Sequence, residues 1–169
     1  MTVIAVVGSE EKCWTEEQKI TAKGYINKLV AGLRTKMLLT QHTTIDTKLN
    51  YKTILLSGDI LAISGHSPKE GVDIWFEQAC QKQNLPFKPY PPDVDSWSDS
   101  MGKKGYKTRN MEMAMAADII IEIEPIWIPR FGENHKLTEG FRSYRRSGAA
   151  WVVSEARKLK KQTYLVVIE

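Results

Sequence analysis

Short apolar runs rich in β-branched residues recur along this chain, separated by stretches of helical period, and that alternation limits the fold more than any other feature. Residues 2–7 (TVIAVV) have the profile of a strand buried on both faces, and the run stops at Gly8-Ser9. From Thr15 the pattern turns helical: Thr15 is an N-cap, Glu16 and Glu17 suit the first turn, and Ile20, Ile26, Leu29, Val30 and Leu33 supply an apolar side. Residues 34–52 show no period and read as a loop or irregular addition. Two short runs follow, Thr53–Leu56 and Ile60–Ile63, around Ser57-Gly58-Asp59, which is either a turn between strands or a bulge in one strand.

The second run leads through SGHSPKEG into a helix with Val72, Trp75, Phe76, Ala79 and Cys80 on one side. Phe87–Tyr90 makes a short strand stopped by Pro91-Pro92, and residues 93–106 form a polar loop expected to be mobile without ligand. Thr108 can cap a helix through Met111 and Met115 to Ala117, and residues 118–124 (DIIIEIE) are the next strand. A basic loop covers residues 125–146. Ser147 then precedes a helix through Trp151 and Leu159, and residues 163–168 form a last strand. Strands separated by helices imply right-handed crossovers, hence an α/β, Rossmann-like three-layer sandwich with a mainly parallel sheet.

At 169 residues the chain is expected to be a single domain, spanning residues 1–169. Its 42% hydrophobic and 26% charged content is near the globular average, which excludes disordered and low-complexity classes. With no apolar run of membrane-spanning length and acids soon after the N-terminus, the expectation is a cytoplasmic protein without a membrane partner. Cys13 and Cys80 are far apart and no HExxH pattern occurs, so neither a disulfide framework nor a metal site is expected, and no cofactor is required.

The net charge is only +4, but the cations cluster. Residues 130–146 hold five cations (Arg130, Lys136, Arg142, Arg145, Arg146) against two acids (Glu133, Glu139), a net +3, and Lys103, Lys104, Lys107 and Arg109 form a second group. Both belong to the carboxyl edge of the expected sheet, where ligands of such folds sit. Gly8-Ser9 and SGHSPKEG are there too. In the latter, Gly65 and Gly71 permit close backbone approach, Ser64 and Ser67 offer hydroxyls, and Lys69 offers charge; the pattern is neither a P-loop nor GxGxxG. Asp73 and Glu77 lie one helical turn apart and are candidates for acid, base or ribose contact, although first-turn acids also complement a helix dipole. Glu112 is placed to pair with Arg109. Trp97, Tyr106, Trp127 and Tyr144 occupy the long loops, where an aromatic can stack on a base, cover the core or build an oligomer contact.

SGHSPKEGVD at 64–73, KTRNMEMAMAADIIIEI at 107–123 and SGAAWVVSEARKLKKQTYLVV at 147–167 resemble, in that order, the SLOG superfamily. This is the Rossmann-like group related to the LOG and lysine-decarboxylase-like proteins, which binds nucleotides and nucleotide-derived ligands. Ser64, Gly65, Gly71 and Asp73 match its first motif, and Arg109 and Asn110 its second. The LOG phosphoribohydrolases carry PGGxGTxxE before the last helix, where this chain has SGAAWVVSE, with Glu155 further along. The resemblance therefore supports the ligand class more than the reaction. It implies binding of a phosphorylated nucleoside or nucleotide derivative, with phosphate or nucleotide contacts from Gly8, Ser9, Ser64, Gly65, Lys69, Gly71, Arg109, Asn110, Ser147 and Gly148. If the protein is an enzyme, the expected reaction is N-glycosidic hydrolysis with Glu77 or Asp73 as the catalytic carboxylate. The alternatives are a non-catalytic nucleotide sensor and, on weaker grounds, a single-stranded nucleic-acid binder. A homo-oligomer is the expected assembly.

Overall fold

The structure is a computed structural model that describes residues 1–43, 49–125 and 147–169. In chain order the elements are β1 (Thr2–Gly8), α1 (Glu16–Arg34), β2 (Met37–Thr43), β3 (Leu49–Leu55), β4 (Ile60–Ser64), α2 (Val72–Lys82), β5 (Phe87–Pro89), α3 (Tyr106–Ala116), β6 (Ile119–Pro125), α4 (Gly148–Lys158) and β7 (Gln162–Ile168). Five strands form one parallel sheet in the order β5-β4-β1-β6-β7. The alternation in the sequence produces the α/β, Rossmann-like sandwich it implies.

Each face of the sheet has its own core. Ile4, Val6 and Ile121 face α1 and α2, packing with Leu29, Leu33, Val72 and Phe76. Ala5, Val7 and Ile120 face α3 and α4, packing with Met113, Ala114, Val152 and Val153. Successive strand residues thus serve opposite cores, which is why β1 and the first half of β6 read as apolar runs. Burying each such large side chain is worth about 1.5–3 kcal/mol.

Thr15 caps α1 as expected, in a reciprocal box: the Gln18 amide donates to Thr15 Oγ1 at 3.2 Å and the Thr15 amide to Gln18 Oε1 at 3.2 Å. Ile20, however, is 74% exposed and belongs to the solvent side of that helix. The larger correction concerns residues 34–52. They hold β2 and the start of β3, an antiparallel hairpin registered from Met37↔Leu55 to Thr43↔Leu49 that forms a second, two-stranded sheet beside α1 and β7. Leu38 carries it into the core at 0% exposure. Segments 53–56 and 60–63 are accordingly ends of strands in different sheets, not one hairpin or one bulged strand.

Helix α3 begins at Tyr106 with Gly105 as N-cap, three residues before the expected Thr108 cap. Asp99, reaching over from the preceding loop, supplies what Gly105 lacks: it accepts from the Gly105 amide at 2.9 Å and from Thr108 Oγ1 at 2.8 Å. The same loop is stitched to itself by bonds from the Asp93 amide to Lys104 O (2.8 Å), the Tyr106 amide to Ser96 O (2.8 Å) and the Lys107 amide to Trp97 O (2.9 Å). Residues 93–106 are thus tied together by their own backbone hydrogen bonds. Most of the basic loop, 126–146, lies outside the described residues.

Candidate functional site

The chain visits β1, β4 and β5 with α1 and α2 on one face, then crosses to β6 and β7 with α3 and α4 on the other. The direction of winding therefore reverses between β1 and β6, where connections diverge above the strand ends and leave a crevice. A cavity of about 440 Å³ opens there. Its walls come from four connections: Gly8, Ser9, Glu10 and Lys12 after β1; Ser67, Lys69 and Asp73 before and within α2; Asp95, Trp97, Tyr106, Arg109 and Asn110 around α3; and Ser147, Gly148 and Ala149 at the start of α4.

Arg109 dominates one wall. Its guanidinium is buried, 6% exposed, and its Nη1 lies 3.4 Å from Oδ2 of Asp73, itself 8% exposed. Burial pushes the Asp73 carboxyl up to about 6 against the opposing pull of Arg109, with Glu77 adding to the rise. Arg109 Nε is buried without a hydrogen-bond partner. The guanidinium also lies 5.3 Å from the Tyr106 ring centroid, and Lys69 Nζ lies 5.4 Å from the same centroid, so two cations share one aromatic plate. Tyr106 donates to Asp95 Oδ1 at 2.8 Å, and burial with this bond pushes its phenol up to about 12.

Gly71, with φ of +101°, brings α2 against the β1 loop: a Cβ there would stand 2.5 Å from Ser9 O, and the Val72 amide donates to that oxygen at 3.3 Å. Gly65 serves a different neighbour, since its missing side chain leaves the space that Arg109 fills. Ser147 caps α4 by accepting from the Ala150 amide at 3.0 Å, and Asn110 Nδ2 donates to Gly148 O at 3.4 Å, tying α3 to α4 across the cleft. Trp97 stands edge-on to Trp151 at 5.6 Å between centroids and forms the outer rim, 44% exposed.

Of the residues singled out from the sequence, Gly8, Ser9, Lys69, Asp73, Arg109, Asn110, Ser147 and Gly148 line the cavity, whereas Ser64, Gly65, Gly71 and Glu77 stand behind its surface. Glu77 departs furthest from its expected role. Its Oε1 accepts from Ser64 Oγ and its Oε2 bonds His66 Nδ1 at 2.7 Å, so the carboxylate is turned along α2 toward the β4 loop, away from the cleft. Glu112 pairs with Lys104 at 2.5 Å, not with Arg109.

Two carboxyls that the sequence reading passed over lie on β6 beneath α4. Glu124 is 0% exposed and bonds Ser9 Oγ through Oε2, while its Oε1 accepts from Ser147 Oγ at 3.3 Å. Burial pushes Glu124 up to about 8, the two serine bonds opposing and the charges of Glu122 and Asp73 reinforcing the rise. Glu122 is pushed up to about 7 by burial, with Arg157 opposing, and its Oε1 has no hydrogen-bond partner. The signal was present: acids at alternate positions of an isoleucine-rich strand must point into the layer beneath a helix.

Among the described residues no helix is long and apolar enough to cross a membrane, and no group of three or more His, Cys, Asp or Glu side chains could hold a metal ion. No protein-family model matches the chain, and no curated protein matches it. Among solved structures it is similar to the X-ray structure of TM1055, a Northeast Structural Genomics Consortium target, with a TM-score of 0.55 and 13% identity over 96% of this chain and 72% of that one. A likeness at that identity establishes shared architecture: the chain has a Rossmann-like fold that this solved structure also has.

Proposed function

We propose that this chain is a SLOG-type protein that binds a phosphorylated nucleoside or nucleotide derivative in the cleft above β1 and β6. The observation that carries the reading is Arg109, a buried guanidinium on the cleft wall whose Nε has no partner, backed by Lys69 on the same aromatic plate. A buried donor without a partner costs about 1–3 kcal/mol, and more when charged, which an anionic ligand would relieve. The helix start at Gly148 and Ala149 lines the cavity and offers backbone amides to a phosphate, and exposed Trp97 at the rim offers a face to a base.

Binding without turnover is the form of the reading that the geometry favours. Glu77 is engaged by Ser64 and His66 away from the cleft, and Glu155, the acid nearest the position used in the LOG pattern, pairs with Lys158 at 2.7 Å. If turnover occurs, Asp73 is the carboxylate of the original pair that remains on the cleft to stabilise a ribosyl oxocarbenium. Thermal-shift measurements against mono-, di- and cyclic nucleotides, with released base followed in the same samples, test both forms. Stabilisation without base release is expected. Base release that disappears in Asp73→Asn would make the protein a hydrolase, and absence of any stabilisation would end the nucleotide reading.

A further inference from the structure

Behind the wall of the cleft lies a fully buried carboxyl, Glu124. Glu124 has no exposed surface, yet Ser9, whose Oγ bonds it, is among the residues that line the cavity. The pair arises from the sheet itself: Gly8 is registered with Ile123, so Ser9 and Glu124 emerge side by side where the winding reverses.

Proton counting at this pair has two outcomes. An ionised Glu124 has no hydrogen to give, so the Ser9 hydroxyl must point inward to satisfy it, and Ser9 then presents only lone pairs to the cleft. A protonated Glu124 donates to Ser9 instead, which frees the Ser9 O–H to point outward. Ser147 Oγ donates to Oε1, so the proton belongs on Oε2, the oxygen that faces Ser9.

Resting on the nucleotide reading above, we propose that Glu124 is a positioning residue that gates phosphate capture through Ser9: protonated, it turns the Ser9 hydroxyl toward a phosphate oxygen, and ionised, it withdraws that donor and sets a negative charge beneath the ligand. Among the described residues, the titratable groups that act on Glu124 are Glu122 on its own strand, Asp73 from α2 and Cys13 from the segment after β1. Burial pushes Glu124 up to about 8, the side of neutrality on which the donor is available. Arg109 also lines the cavity and supplies a cation for the same anion.

The test is the affinity of ribose 5-phosphate between pH 7 and 9.5, a range above the second ionisation of a phosphate monoester near 6. In the unaltered protein the dissociation constant is expected to rise with a midpoint near pH 8 and to approach about tenfold per further pH unit. Glu124→Gln, which cannot ionise, should flatten that profile. Ser9→Ala should weaken binding at pH 7 and move any remaining midpoint upward, because the Ser9 bond holds Glu124 down; it decides the matter if Glu124→Gln does not fold. Binding that is flat with pH in the unaltered protein, or a slope that survives in Glu124→Gln, or a midpoint unmoved in Ser9→Ala, would overturn the gate and leave the nucleotide reading standing. No binding of ribose 5-phosphate or any nucleotide at any pH would overturn both.

Discussion

The guanidinium of Arg109 occupies the space that a Cβ on Gly65 would need. Arginine and glycine are 44 positions apart and belong to different motifs, yet the absence of one side chain is what seats the other. Gly65→Ala is therefore expected to displace Arg109, costing about 1–3 kcal/mol of stability as an overpacked site and weakening anion binding as much as loss of the arginine does. Denaturation and nucleotide titration of the same variant check both parts. A Gly65→Ala protein that binds normally would mean Arg109 does not serve the ligand.

Removing Arg109 also strands a carboxylate. Arg109→Ala should lose about 3 kcal/mol, because Asp73 stays buried without its cation, and Asp73→Asn in the same chain should restore part of that loss. A double-mutant cycle by urea unfolding measures the coupling. If the double variant loses the sum of what Arg109→Ala and Asp73→Asn lose alone, the pair contributes nothing beyond its separate members.

Three buried acids make a prediction about pH. Asp73, Glu122 and Glu124 are raised to about 6, 7 and 8 from ordinary values of 3.8, 4.5 and 4.5. Between those limits the folded protein keeps protons that the unfolded chain gives up, so stability should fall as pH rises from about 4 to 8, by up to about 1.4 kcal/mol per pH unit for each group titrating. Glu124→Gln should remove most of the decline between pH 7 and 8, where the other two have already ionised in the fold. Chemical denaturation at intervals of half a pH unit reads this directly, and a curve that rises over that window would contradict the burial of these groups.

Asp99 gives a prediction of opposite sign. Bonds from the Gly105 amide and Thr108 hold its carboxyl below the usual carboxylate range, so the support it gives to α3 is present above its unfolded value and is lost as pH falls through the folded one. Asp99→Ala should raise hydrogen exchange at Gly105–Thr108 at pH 7 while leaving β1 and β6 protected. Unchanged exchange there would show that the loop backbone alone holds the start of the helix.

Strand–helix alternation was legible because β1 and β6 are buried on both faces, which leaves apolar runs that polar loops interrupt. The hairpin of β2 and β3 was not. It has no Asn-Gly or Gly-Gly turn that announces strand reversal, and its stability comes from lying beside α1 and β7, a long-range circumstance that no local pattern carries. The glycines of SGHSPKEG and Arg109 were identifiable by type and order, but the direction of a side chain was not: Glu77 and Asp73 share a helical face by spacing, and Ser64 and His66 draw one of them away. Glu122 and Glu124 were visible as an alternation within β6 that conflicts with its apolar company, the kind of local inconsistency that marks a functional layer.

The position of β1 has a consequence in time. It lies at the centre of the sheet and precedes both of its neighbours in the chain, which pair with it across separations such as Ile4↔Ala62 and Ile4↔Ile119. A strand made before both of its neighbours must wait, unpaired on one side, until residues 119–125 have emerged, and the loop that closes around it is long. The cleft shares that delay, since Ser9 and Glu124 meet only when β6 docks. The cleft is thus among the last features of the molecule to form, and a chain halted before β6 would carry an open apolar strand edge and no cleft at all.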